Sequence, residues 1–263
     1  MKRTSGLSIT SILEDFLVLS GREGPARLIG PFYLPQPVDA KVDADRNLSW
    51  TWENPSKLHE PPSTLCFDFS KLADGSDENI RRFGARWGPL GLRPRVIEEP
   101  IRLWHGYARL ARAILRFAAE RLTGGLGREE DWNTICKSIP PRSLDRSGLS
   151  SERQTAVMGS AVNTWFDKAR VHGIVQMVDD QLQVQPRAGF LFGILITQIA
   201  HAIARSDQMA VCSGCNDPFV PARPLSRGVR QYCKRCRKKK IPQRDAARAW
   251  RQRGREKLGN NPR

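Results

Sequence analysis

Histidine is scarce in this chain, four in 263 residues. His59 lies in a proline-rich loop, His105 and His201 fall within helical patterns, and His172 precedes Gly173 at a helix end. Local spacing sets no nucleophile or carboxylate beside any of them, so the constellation that hydrolytic or acid-base catalysis needs is not found. Phosphate-cradling glycines are missing too, because Gly84, Gly88 and Gly91 have neither the order nor the preceding strand of a dinucleotide or P-loop motif. No apolar run is long enough to cross a bilayer: the most apolar stretch, Gly189 to Ala204, is short and interrupted by Thr197, Gln198 and His201, which predicts a buried helix. The start Met1-Lys2-Arg3 leads into Thr4-Ser5-Gly6 and then Glu14 and Asp15, not into the apolar core of a secretory signal. The expectation is a cytoplasmic binding protein rather than an enzyme or a membrane protein.

Acidic side chains are nearly missing from one end. Of the 27 Asp and Glu, 24 precede Cys212, where they face 27 Lys and Arg; from Cys212 onward three face 16. The formal charge of +16 therefore divides into +3 and +13, most of it in the last fifth of the chain. Such a localised cationic excess favours a polyanion through counterion release.

Cysteine is also sparse, six in all, and four of the six form two pairs. Cys66 and Cys136 stand alone, which is not the layout of a disulfide framework. Cys212-Ser213-Gly214-Cys215 and Cys233-Lys234-Arg235-Cys236 are C-x-x-C pairs with seventeen residues between them, the spacing at which two knuckles close a tetrahedral sulfur site. Zinc suits four thiolates because it imposes no geometry of its own and prefers sulfur. A redox dithiol and an iron-sulfur cluster use similar residues, but neither has its usual context here. Four protein ligands leave no position for water, so the expected role of one Zn2+ is structural. Phe219, Val220 and Tyr232 are expected to form a small apolar cluster under the knuckles.

Arg237-Lys238-Lys239-Lys240 follow the second pair, and Pro242 opens a helical pattern through about Arg253. Arg244, Arg248, Arg251 and Arg255 fall in one stripe, with Gly254 a potential stop before the fourth, while Ala246, Ala249 and Trp250 fall opposite, where Trp250 is expected to dock on the finger. With Arg230, Lys234 and Arg235 these cations make a candidate surface for double-stranded DNA, guanidinium forks meeting phosphates or guanine edges. RNA or an acidic protein are the alternatives, RNA the weaker because Phe219, Tyr232 and Trp250 look structural. Membrane contact is disfavoured, since Trp250 and alanines offer too little apolar area.

Upstream the pattern is mainly α with minor β. A weak helical signal spans Ile9 to Leu19, and a Pro- and Gly-rich stretch runs from Gly21 to Pro37. Helices are expected over Asp77 to Trp87, from Pro100 to Gly124, around Trp132 behind the acidic first turn Glu129-Glu130-Asp131, and over Ser151 to Ala169. In the longest, Ile101, Trp104, Ala108, Ala111, Leu115, Ala118 and Leu122 mark one apolar face, and Arg102, Arg109, Arg112, Arg116 and Arg121 read as solvated. That apolar face is also the expected place for a homodimer interface. A strand over Asn47 to Trp52 would bury Leu48, Trp50 and Trp52, and a hairpin pairs Ile174 to Val178 with Gln181 to Gln185. The chain thus divides into a helical domain, residues 1–206, and a four-cysteine finger with a basic helix, residues 207–263.

This order, a helical region, an apolar helix, Cys-x-x-Cys-x-x-x-Phe, Tyr-Cys and a basic helix, resembles bacterial proteins with an ABATE-like N-terminal region and a CGNR-type zinc finger. Cys212, Cys215, Phe219, Cys233, Cys236 and the arginines after them carry the resemblance, which is motif-specific over residues 209 to about 253. It implies a zinc-dependent DNA-binding module in a transcriptional regulator, with the N-terminal region sensing or binding a ligand. The second pair departs from the family pattern: Cys-Lys-Arg-Cys is followed by Arg237-Lys238-Lys239, with no Cys-Gly-Asn-Arg.

Overall fold

The computed structural model describes residues 34–35, 37–52, 58–92, 98–122, 125, 127–138, 149–169, 171–178, 181–188, 190–204, 209–222 and 229–259. The helical signal at Ile9 to Leu19 and most of the Pro- and Gly-rich stretch lie outside them. Among the described residues the chain is mainly α with minor β: eight α-helices, a short 3-10 turn and four small antiparallel sheets.

Strands β1 (Leu34–Pro35) and β4 (Leu58–His59) pair, and β2 (Asp39–Val42), β3 (Asn47–Thr51) and β5 (Glu98–Pro100) form a sheet in the order β2-β3-β5. Alternation in β3 sends Leu48 and Trp50 into the core, but Trp52 falls just past the strand and is 40% exposed, contrary to expectation. Helix α1 (Leu65–Ser70) precedes α2 (Asp77–Trp87), which starts where the Ser76 hydroxyl accepts from Asn79 N–H and ends at Gly88, φ 81°. Gly84 lets α2 lie directly on the sheet: its carbonyl accepts the Trp50 indole N–H at 2.9 Å, and a Cβ there would stand 2.6 Å from Leu48 Cδ2.

Helix α3 (Ile101–Leu122) is the axis of the core. Pro100 belongs to β5 rather than to the helix, which begins one residue later. Ile101, Trp104, Ala108, Ala111, Leu115 and Ala118 are buried as their spacing predicts. The solvated-arginine expectation holds only for Arg102 and Arg109, which are exposed. From Ala113 to Ala119 every position is buried, Arg116 included at 7% exposure, because α4 (Glu129–Cys136) covers the second half of the helix. The Arg116 guanidinium pairs with Asp131 and, at 3.0 Å, with Glu130; Arg112 pairs with Asp74. With this face covered by the chain's own helices, α3 does not offer the free apolar face expected of a dimer interface.

Helix α5 (Ser151–Ala169) and the buried α6 (Leu191–Ala204) complete the bundle, Trp165 and Phe192 packing edge-on or tilted about Tyr107 of α3. Between them β6 (His172–Val178) and β7 (Gln181–Arg187) pair from His172↔Arg187 to Val178↔Gln181, longer than expected. His172 is therefore in a strand, as His59 is in β4, rather than at a helix end and in a loop. Glu99, 5% exposed, ties the segment after α2 to the start of α3 by accepting from Leu90 N–H, Gly91 N–H and the Trp104 indole. No described helix is long and apolar enough to cross a membrane.

Candidate metal centre and basic helix

After α6 the chain re-enters the core with Met209 and Ala210, both buried, then leaves it as the hairpin β8 (Ala210–Val211) and β9 (Pro218–Phe219), which lies against α3. Cys212 follows β8 directly. The turn is closed by Asn216 N–H donating to Cys212 O at 2.8 Å and Cys212 N–H to Asp217 O at 3.0 Å, with Asn216 in the left-handed region, φ 58°. Asparagine tolerates that conformation, and it places Cys215 back beside Cys212. Ser213 N–H donates to Gln231 O at 2.7 Å, which draws the second knuckle onto the first.

Cys212, Cys215, Cys233 and Cys236 converge, their sulfurs all within 4.8 Å of one another. Cys215 Sγ and Cys233 Sγ are 3.7 Å apart. A tetrahedron of sulfurs around an ion at about 2.3 Å has edges near 3.8 Å, so this pair already stands at coordination distance. Four thiols brought this close with little apolar filling between them are a poor packing arrangement and a good ligand set, and the site can hold one metal ion. Backbone N–H groups of Gly214 and Cys233 point at Cys212 Sγ at 3.4 and 3.3 Å. Burial pushes the Cys212 thiol up, but these donors outweigh it and leave the group lowered to about 7. Burial holds Cys236 up at about 11 and raises Cys215 as well. Gly214 is required sterically: a Cβ there would meet Ile241 Cγ2 at 2.9 Å and Cys236 Sγ at 3.1 Å.

The apolar support differs from the sequence expectation in one member. Tyr232 is buried and Phe219 and Ile241 are partly buried around the cysteines, whereas Val220 is 48% exposed. Ile241 takes its place because the chain turns sharply at Lys240, φ 55°, between the short helix α7 (Lys234–Lys238) and α8 (Ile241–Gly259). Tyr232 Oη donates to Asp245 Oδ2 at 2.9 Å, tying the first turns of α8 to the knuckle.

Helix α8 runs through Gly254 to Gly259, so Arg255 is within it, and Gly254 does not stop the helix. Arg244, Arg248 and Arg251 are exposed. Ile241, Asp245 and Ala249 make the face turned to the finger, and Trp250 is 72% exposed on the far side, not docked. Lys234, Lys238, Lys239 and Lys240 are exposed, as are Arg230 and Arg237, the latter donating from Nε to Tyr232 O at 2.9 Å. Arg235 is exposed as well, and it also braces the finger. It donates to the buried Asp217 at 2.8 Å, and its hydrogen bond with the Cys215 sulfur holds its guanidinium above the usual value.

No protein-family model, no curated protein and no solved structure matches the chain.

Geometry therefore carries the functional reading. It adds two contacts that sequence reasoning missed. Asp217 is the one carboxylate between the cysteine pairs, a position that marks it as a partner for Arg235. Arg128, just before α4, donates to Asn216 Oδ1 at 2.9 Å and clamps the turn of the finger onto the helical body.

Proposed function

We propose that the chain is a DNA-binding regulator of the bacterial cytoplasm, in which one structural Zn2+ holds residues 207–263 as a finger and α8 carries its arginines to double-stranded DNA, while residues 1–206 sense or bind a ligand. The observation that carries this reading is the conjunction of a four-sulfur cluster with an exposed basic helix anchored to it through Ile241 and Asp245. Four cysteines in tight knuckles with N–H···S support make the closed site that structural zinc takes; iron uses the same donors, so metal analysis separates the two. Such a site leaves no coordination position for substrate, which favours binding over catalysis. Cytoplasmic thiols remain reduced, as four free ligands require.

The test is selection from a randomised duplex pool by zinc-loaded protein at physiological salt, with metal content measured on the same preparation. One zinc per chain, a colourless protein and enrichment of a motif are expected. A brown protein with visible absorption replaces zinc with an iron-sulfur cluster. Binding without enrichment, or none, removes the regulator reading. The exposure of Trp250 favours one second reading: a ring free beside arginines can stack on an unpaired base, as RNA-binding surfaces do. Tighter binding to single-stranded RNA than to duplex DNA, lost in Trp250→Ala, would select it.

A further inference from the structure

A cavity of about 510 Å³ opens on the helical body between α3, the end of α4 and α5, within the size range of small-molecule sites. Its chemistry is one-sided. Arg102, Lys137 and Lys168 line it, and among the described residues no carboxylate does. The wall is aromatic: Trp165, otherwise packed into the core at 1% exposure, and Tyr107, whose ring packs against Trp165 at 5.3 Å and whose hydroxyl has no hydrogen-bond partner among the described residues.

The floor supplies an independent observation. Gly106 lies in the first half of α3, and a Cβ built there meets nothing within 4 Å. Glycine inside a helix is less stable than alanine, and here no neighbour demands it. Unlike Gly84 and Gly214, which are pressed by other atoms, Gly106 lines the cavity and has open space where a Cβ would stand.

We propose that this cavity binds a small organic anion with an aromatic body, its carboxylate held by Arg102, Lys137 and Lys168 and its ring laid against Tyr107 over Gly106. Among the described residues the three cations have no counter-carboxylate and the tyrosine hydroxyl no partner, so both can meet an anion, and the Tyr107 ring gives a planar group an apolar surface. The proposal rests on the ligand-binding half of the reading above and gives that half a place and a chemistry. It does not depend on what the finger binds.

The test is calorimetric titration of the full, zinc-loaded chain, without nucleic acid, using 2-naphthoate as probe and 2-naphthamide and inorganic phosphate as controls. Saturable binding of one naphthoate per chain is expected, with the amide and phosphate each weaker by about tenfold or more. Gly106→Leu fills the floor and should weaken naphthoate about tenfold with the melting temperature retained, since its side chain enters open space. Lys168→Glu should weaken naphthoate but not the amide. If Gly106→Leu fails to fold, Lys168→Glu alone decides. Equal binding of amide and acid, or naphthoate binding indifferent to both variants, overturns the proposal. Either result leaves the DNA selection untouched, so the two readings fail separately.

Discussion

Replacing Asp131 with alanine isolates what the buried Arg116 contributes. Arg116 and Asp131 are 7% and 1% exposed, and the guanidinium reaches the carboxylate through both Nε and Nη2. Removing one member of such a pair strands a buried charge, at a typical cost of about 3–5 kcal/mol. Two local features modify the figure. Glu130 remains 3.0 Å from Nη2, but its side chain is 66% exposed and mostly screened, which moves the expectation to the lower part of that range. Asp131 also sits in the acidic first turn of α4, worth up to about 1 kcal/mol to the helix. The expected loss is about 3 kcal/mol, which in urea moves the unfolding midpoint by roughly 1 M for a slope near 3 kcal/mol per molar. The paired variant Arg116→Met with Asp131→Leu should recover most of it, because an apolar pair carries no desolvation cost. A loss under about 1 kcal/mol for Asp131→Ala, or a double variant worse than the single one, refutes the buried-charge account of this contact.

Three further outcomes are expected. Gly214→Ala should lower metal affinity and release thiols to a chromogenic reagent faster, since Cys236 Sγ and Ile241 must move to admit the methyl group; unchanged thiol release would show that the knuckle has slack. Chelation should cost helical circular dichroism equivalent to α7 and the start of α8, leaving the helical body folded, and a chain that unfolds as a whole would mean that the finger is part of the main core. Arg112, Arg46 and the Arg81/Arg82 pair hold Asp74, Asp77 and Glu78 below their ordinary values, Glu78 at about 2. Carboxylates depressed in the folded state stabilise it above the unfolded pKa, about 4, and lose that contribution as pH falls below it. Asp77→Asn should therefore lower stability at pH 7 and flatten the acid limb of the curve between about pH 4 and 2, variant and unaltered protein converging at the acid end; an unaltered acid limb assigns the acid sensitivity elsewhere.

The parts legible in the sequence were those set by local rules. Periodicity located the helices over Asp77–Trp87, Ser151–Ala169 and most of Ile101–Leu122, and the paired cysteines located the four-sulfur cluster, because a knuckle is closed by its own turn. What failed was set by neighbours distant in sequence. Arg116 reads as solvated on its own helix, and only the later Asp131 makes it a buried residue. Trp52 lies one step past the last paired residue of β3, where alternation still predicts burial but no layer covers it. Trp250 was expected inward because it opposes the arginine stripe; the sharp joint at Lys240 instead turns a third face, that of Ile241 and Asp245, to the finger. Glycine at position 254 lowers local helix propensity without breaking a helix whose neighbours, Arg253, Arg255 and Glu256, favour it.

Met209 and Ala210 are core residues, and Cys212 joins the four-sulfur cluster two positions later. Between a packed interior and the cysteine knuckle there is thus no room for a swivel, and Arg128 pins the same turn from the side. Whatever α8 touches, it is aimed by the body behind it, as a tool is aimed by a fixed mount rather than by a cord. A body that shifts α3 by a fraction of an ångström swings the far end of a nineteen-residue helix through a larger arc, so modest rearrangement at one end becomes displacement at the other.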